Sequence, residues 1–114
     1  MKTILVCGGR HYSDREKVFK TLNALKKPFH LIHGNTEGAD MIAALWADQF
    51  GEGVTVKAYP ANWSRWKRRA GPIRNWEMLR EGKPDLVIAF PGGTGTDHMK
   101  SIAREAGIEV REIV

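Results

Sequence analysis

The run Leu86-Val87-Ile88-Ala89-Phe90 breaks directly into Pro91-Gly92-Gly93-Thr94-Gly95-Thr96. A short apolar run with no polar alternation is the pattern of a strand buried on both faces of a parallel sheet. The glycines that follow let the backbone turn sharply and come close to a group that a Cβ would hold away. A helix is expected next, with Met99, Ile102, Ala103 and Ala106 on one face and Gly107 as its stop. A strand that opens through glycines onto a helix N-terminus aims unpaired N–H groups and the positive end of the helix dipole at one point. The loop therefore reads as a phosphate site. The plainer reading, a tight turn, needs less glycine, because strand-to-helix connections take only roughly 2–6 residues.

Outward from this segment the chain alternates strand and helix. Ile4-Leu5-Val6-Cys7 is the first apolar run and ends in a second glycine turn, Gly8-Gly9-Arg10. Ser13-Asp14-Arg15-Glu16 has capping-box spacing ahead of a stripe of Val18, Phe19, Leu22 and Leu25. Phe29 to His33 is a strand leading into Gly34-Asn35-Thr36-Glu37-Gly38-Ala39-Asp40, and a helix through Ile42, Leu45, Trp46 and Phe50 stops at Gly51. Val54, Val56 and Ala58 alternate as a third strand, Pro72 opens a helix through Ile73, Trp76 and Leu79, and Ile108 to Val114 closes as the last strand. Five strands separated by four helices predict an α/β fold, a Rossmann-like doubly wound parallel five-stranded sheet of order 3-2-1-4-5 with helices on both faces. Winding reverses between the first and fourth strands, so ligands are expected at their carboxyl ends. The loops at Gly8 and Pro91 then become neighbours, with Gly34 to Asp40 one strand away.

At 114 residues and 42% hydrophobic content, one domain spanning 1-114 is expected, with a real core. The apolar stretch at Met1 to Val6 is too short for a signal peptide or a membrane span, which predicts a cytoplasmic protein with no membrane partner. Cys7 is the only cysteine, excluding an internal disulfide, and reads as a small core residue. His11, His30, His33 and His98 lack metal-ligand spacing, so no metal is expected.

Common motifs are excluded one by one. A dinucleotide fingerprint would need glycine at His98 and an acid at the end of the second strand, where His33-Gly34-Asn35 stands. No glycine loop ends in the Lys-Ser/Thr of a P-loop, and no serine sits in a hydrolase elbow. From Tyr59 to Met78, Trp63, Trp66 and Trp76 are interleaved with Arg65, Lys67, Arg68, Arg69 and Arg74, against a formal net charge of +5. A solvated basic surface with tryptophans in the core explains most such clusters. Here the stretch follows the third strand, so it starts from the same sheet edge as the glycine loops, and Arg74-Asn75 can bring a guanidinium fork to a phosphate.

Gly8-Gly9-Arg10, Gly34 to Asp40 as G-x-x-x-G-A-D, Ala70 to Asn75 and Phe90 to Thr96 together resemble the small YspA-type, YpsA-related branch of the SLOG superfamily. The resemblance covers nearly the whole chain. It implies a Rossmann-like fold and nucleotide-derived ligands; no cofactor is expected. It also implies distant similarity to the lonely-guy phosphoribohydrolases, which hydrolyse the N-glycosidic bond of cytokinin nucleotides, and to DprA-type single-strand DNA binders. Pro91-Gly92-Gly93 with Gly95-Thr96 matches the lonely-guy phosphate motif, and Arg74 and Met78 match its R-K-x-x-M segment with Asn75 for the lysine. Met99 stands where those enzymes carry a catalytic glutamate, and Lys67 where the branch usually has glycine. A phage or bacterial source and a homodimer paired through helices are further implications.

The first expectation is a binding or sensing module for a small nucleotide-type ligand, a nucleoside phosphate or an ADP-ribose-like molecule. Gly8, Gly9, Gly34, Gly38 and Pro91-Gly92-Gly93-Thr94-Gly95-Thr96 would form its loops, and Arg10, Arg74 and Asn75 would meet phosphate. Asn35 or Asp40 would meet ribose, while Tyr12, Trp63 or Trp66 would stack on the base. Asp40 could equally cap its helix. One alternative is a nucleoside monophosphate N-glycosidase, with Glu37, Asp40 and Arg74 as catalytic candidates because Met99 supplies no carboxylate. Another is single-stranded nucleic-acid binding by the basic-aromatic stretch, ranked lower because it leaves three converging glycine loops unexplained.

Overall fold

The computed structural model describes residues 1–114. Five strands, β1 (Lys2–Cys7), β2 (Phe29–His33), β3 (Val54–Ala58), β4 (Leu86–Ala89) and β5 (Glu109–Glu112), form one sheet in the order β3-β2-β1-β4-β5. Every neighbouring pair is parallel, with Ile4 beside Leu31 on one side and Leu86 on the other. This is the expected α/β Rossmann-like sheet.

Each central strand splits its side chains between two cores, because successive residues face opposite ways. Ile4, Val6, Phe29, Leu31, Leu86 and Ile88 pack under α1 (Arg15–Asn23) and α2 (Ala39–Phe50), and Trp46 of α2 stacks on Phe29 with centroids 6.0 Å apart. Leu5, Cys7, Ile32, Val87 and Ala89 pack under α4 (Ala70–Gly82) and α5 (Thr94–Glu105). The uninterrupted apolar runs are explained by this double burial. β3 differs. It forms the open edge, and its residues from Thr55 to Ala58 are exposed.

Local departures from the expected elements have physical causes. The cap of α1 is Asp14, whose carboxylate accepts from Lys17 N–H at 3.0 Å, one residue past the Ser13 expected from the capping-box spacing. A short helix, α3 (Trp63–Trp66), adds to the four expected, capped by Asn62, which accepts from Arg65 N–H. A 3-10 turn (Lys67–Arg69) then leads into α4, which begins at Ala70, so Pro72 sits inside its first turn, where a missing N–H breaks no helical bond. α5 ends at Glu105, leaving Ala106 exposed at its cap.

The topology determines where the loops meet. At the carboxyl edge, Gly9 N–H donates to Pro91 O at 2.9 Å, tying the loop after β1 to the loop after β4.

Candidate functional site

Between these loops and α4 lies a crevice of about 710 Å³. Its floor is backbone, because the glycines meet backbone to backbone: a Cβ on Gly92 would lie 2.6 Å from Gly9 N, and one on Gly9 would lie 3.1 Å from Gly92 Cα. Gly93 and Gly95 are different. A Cβ on either would meet nothing within 4 Å, so their missing side chains leave open space at the crevice wall. The first bond of α5 runs from Asp97 N–H to Gly93 O at 3.0 Å, and Gly93 offers no side-chain cap. The amides of Thr94, Gly95 and Thr96 therefore precede the helical ladder, at the positive end of α5.

Arg74, on α4, lines the same crevice. Its Nη1 donates to Gly34 O and, at 3.5 Å, to Tyr59 O, while its Nε donates to Asn75 Oδ1 at 3.0 Å. Nη2 makes no hydrogen bond within the chain, which leaves one edge of the guanidinium for a ligand. Asn75, buried on α4, donates from Nδ2 to Gly95 O at 3.2 Å and to His98 Nδ1 at 3.1 Å. One amide thus sets both the arginine and the glycine loop.

Asp40 is buried in the first turn of α2, yet it does not cap that helix: Gly38 is the cap, and Asp40 Oδ2 accepts from Gly34 N–H at 3.0 Å and Thr36 N–H at 3.3 Å. The carboxylate shapes the loop after β2. Oδ1 has no partner in the chain, and since no fully buried polar side-chain atom is unpaired, it keeps contact with the crevice. Burial pushes the Asp40 carboxyl up to about 6, against the lowering pull of the two amides and Arg74. Beside it, burial and the Asp40 charge push the Cys7 thiol up to about 12, which keeps it an unreactive core thiol. Burial and then the Arg74 charge push the His33 imidazole below its ordinary range, and its Nδ1 accepts from Asn35 N–H at 3.0 Å.

Arg10, Arg68 and Arg74 face the crevice, and Asp40 is the only acid that does. The field favours an anion. No group of three or more His, Cys, Asp or Glu is placed to hold a metal ion.

Of the residues expected at a site, Gly8, Gly9, Arg10, Tyr12, Gly34, Asp40, Trp63, Arg74, Asn75 and Pro91 to Thr96 all line this one crevice. The remaining ones lie elsewhere. Asn35 is exposed with φ 58°, its side chain outside the crevice. Gly38 (φ 84°) packs on the first loop, where a Cβ would lie 2.1 Å from Gly9 O, and Glu37 borders a second, shallower basin. Trp66 carries the Arg65 guanidinium 4.5 Å over its ring and takes no part. Met99, where the resemblance places a catalytic acid, is 1% exposed and faces the core. Of the tryptophans, only Trp46 is fully buried, while Trp63 and Trp76 are about half exposed.

His11, Thr36, Arg68 and His98 also line the crevice, though none of them was expected as a ligand-binding residue. His98 had a signal: it lies three residues after Gly95, on the same side of α5. Arg68 belonged to the basic cluster, but nothing in the sequence told it from Arg65, Lys67 and Arg69, because a 3-10 turn preceding α4 sets its direction.

Residues 2–66 match the family described as YspA, cpYpsA-related SLOG. The chain is also 39% identical over 119 aligned positions to the Gene 61 protein of Mycobacterium phage D29, an alignment covering 96% of this chain and 94% of the phage protein. That second match includes Arg74 and the glycine loop of β4, which lie beyond residue 66.

Proposed function

This chain belongs to the YspA, cpYpsA-related SLOG family, whose membership suggests nucleotide-related binding or processing, and we propose that it binds a small nucleotide-derived ligand through the crevice. The observation that carries the reading is the presence, in one crevice, of three uncommitted amides at the start of α5 and the free Nη2 of Arg74. Amides and dipole hold a phosphate, and the free Nη2 of Arg74 adds a charge-assisted hydrogen bond to it. Trp63, about half exposed on the crevice rim, offers a face for a base. In thermal unfolding with AMP, ADP, ADP-ribose and NAD, at least one should raise the midpoint in a concentration-dependent way, since a ligand bound only by the native state stabilises it. A flat response to all four would remove the reading.

A hydrolytic role has one observation in its favour. Asp40 presents a free Oδ1 to the crevice with a carboxyl pushed up to about 6, a range suited to proton transfer at neutral pH. Incubation with AMP, followed by chromatography for free adenine, tests it. Release that Asp40→Asn abolishes would establish an N-glycosidase; no release would leave binding alone.

A further inference from the structure

His98, in the second turn of α5, borders the crevice and is partly buried. Two residues of α4 set its ring. Nδ1 lies 3.1 Å from Nδ2 of the buried Asn75, and the Trp76 indole stands edge-on to the imidazole, with centroids 6.3 Å apart at 76°. Nε2 has no partner in the chain, and since no fully buried polar side-chain atom is unpaired, it reaches solvent. Holding Nδ1 on the buried amide turns Nε2 away from that amide.

The same amide decides which ring nitrogen carries the proton. Arg74 Nε can only donate, so the Asn75 atom facing it at 3.0 Å is the oxygen; Gly95 O can only accept, so the atom facing it at 3.2 Å is the nitrogen. A turned amide would set N–H against N–H at Arg74 and oxygen against oxygen at Gly95. Nδ2 therefore donates to His98, Nδ1 must accept, and the neutral imidazole carries its proton on Nε2. An arginine that never loses its proton thus fixes, through one amide, the tautomer of a histidine on the next helix.

We infer that His98 is a ligand-binding residue of the crevice, donating from Nε2–H to an acceptor oxygen of the bound molecule, and that Asn75 is the positioning residue that keeps it in the donor form. This rests on the crevice reading above. The α5 amides and the free Nη2 of Arg74 are donors in the same crevice, so this tautomer extends a donor set. The other tautomer would offer a lone pair to the same anion and repel it.

The test has two arms, both on the full chain. Nitrogen NMR of isotope-labelled protein in mildly alkaline buffer reads the tautomer, with the His98 signals identified by their absence from His98→Gln. The proton is expected on Nε2, and in Asn75→Asp, where a carboxylate accepts in place of the donating amide, it should move to Nδ1. A proton on Nδ1 in the wild type, or one that Asn75→Asp leaves in place, overturns the assignment. Calorimetry with AMP and ADP-ribose reads the contact. His98→Asn keeps an acceptor for Asn75 but has no atom at the Nε2 position, so affinity should fall by about tenfold. His98→Gln returns an N–H to that position and should recover most of the loss. Any other pattern in the two variants, with the wild type binding, overturns the donor role and leaves the crevice reading standing. A wild type that binds neither probe overturns both.

Discussion

Arg74 donates to the carbonyl of Gly34 across 40 residues of chain, and the glycine is what admits it: a Cβ at position 34 would lie 2.6 Å from Arg74 Nη1. The obstructed atoms belong to the far end of a flexible side chain, so Gly34→Ala should expel the guanidinium rather than unfold the sheet. Loss of its backbone hydrogen bonds is expected to lower stability by about 1–3 kcal/mol, read by urea unfolding. Phosphate-ligand affinity should fall much further, by roughly a hundredfold for loss of a charged contact worth about 3 kcal/mol. An alanine variant that binds as the wild type does would show that Arg74 holds the loops and nothing else.

Gly95→Ala should separate fold from function. The new methyl meets nothing in the protein and stands in the first turn of α5, where alanine is favoured over glycine by up to about 1 kcal/mol. The expected protein melts at the same temperature or higher and has lost its ligand. Retained binding would move the phosphate away from the α5 amides.

Lys67 adopts φ 54°, ψ −129°, a conformation that glycine tolerates and lysine does not. The position where the resemblance leads one to expect glycine has a glycine-type backbone. Lys67→Gly should relieve strain on the order of 1 kcal/mol, visible as a higher denaturation midpoint at unchanged m-value. A destabilised variant would mean that the lysine side chain supplies more than its backbone loses.

Two buried groups oppose each other in acid. The Asp40 carboxyl is raised from 3.8 to about 6 in the fold, so the native state binds its proton first, and this group favours folding as pH drops through 6 towards 4. About two pKa units correspond to roughly 3 kcal/mol. His33 is lowered from 6.5, so it contributes stability above that pH which is lost as pH falls. Asp40→Asn should leave only the histidine effect, and its stability should then decline more steeply than the wild type's between pH 6.5 and 4. Parallel curves from chemical denaturation across that range would refute the assignment.

The sheet was legible because burial on both faces writes itself as unbroken apolar runs at Leu5, Leu31 and Val87, and the glycine loops because close backbone approach demands glycine. Given the strand order, the convergence of the loops at Gly8, Gly34 and Pro91 followed. What stayed hidden depends on helical phase and on short turns. Asn75 looked like a phosphate ligand, yet its amide is spent on Arg74, Gly95 and His98, which only the packing of α4 against α5 reveals. Asp40 belongs to the same class: a residue in a first helical turn looks like a cap, but the loop before it folded back onto the carboxylate. The position of Met99 carried a family's chemistry in the sequence and turns out to be core.

The bare edge strand β3 has a consequence for handling the protein. Val54-Thr55-Val56-Lys57-Ala58 offers an unpaired row of amides and carbonyls, with Val56 43% exposed. Lys57 is its single charge, and Pro60 follows it closely. Such a strand is a template on which another molecule's strand can grow, and one ammonium group is the guard against that. Acetylating that lysine or replacing it with valine would turn a tolerated sheet edge into a starting point for aggregation.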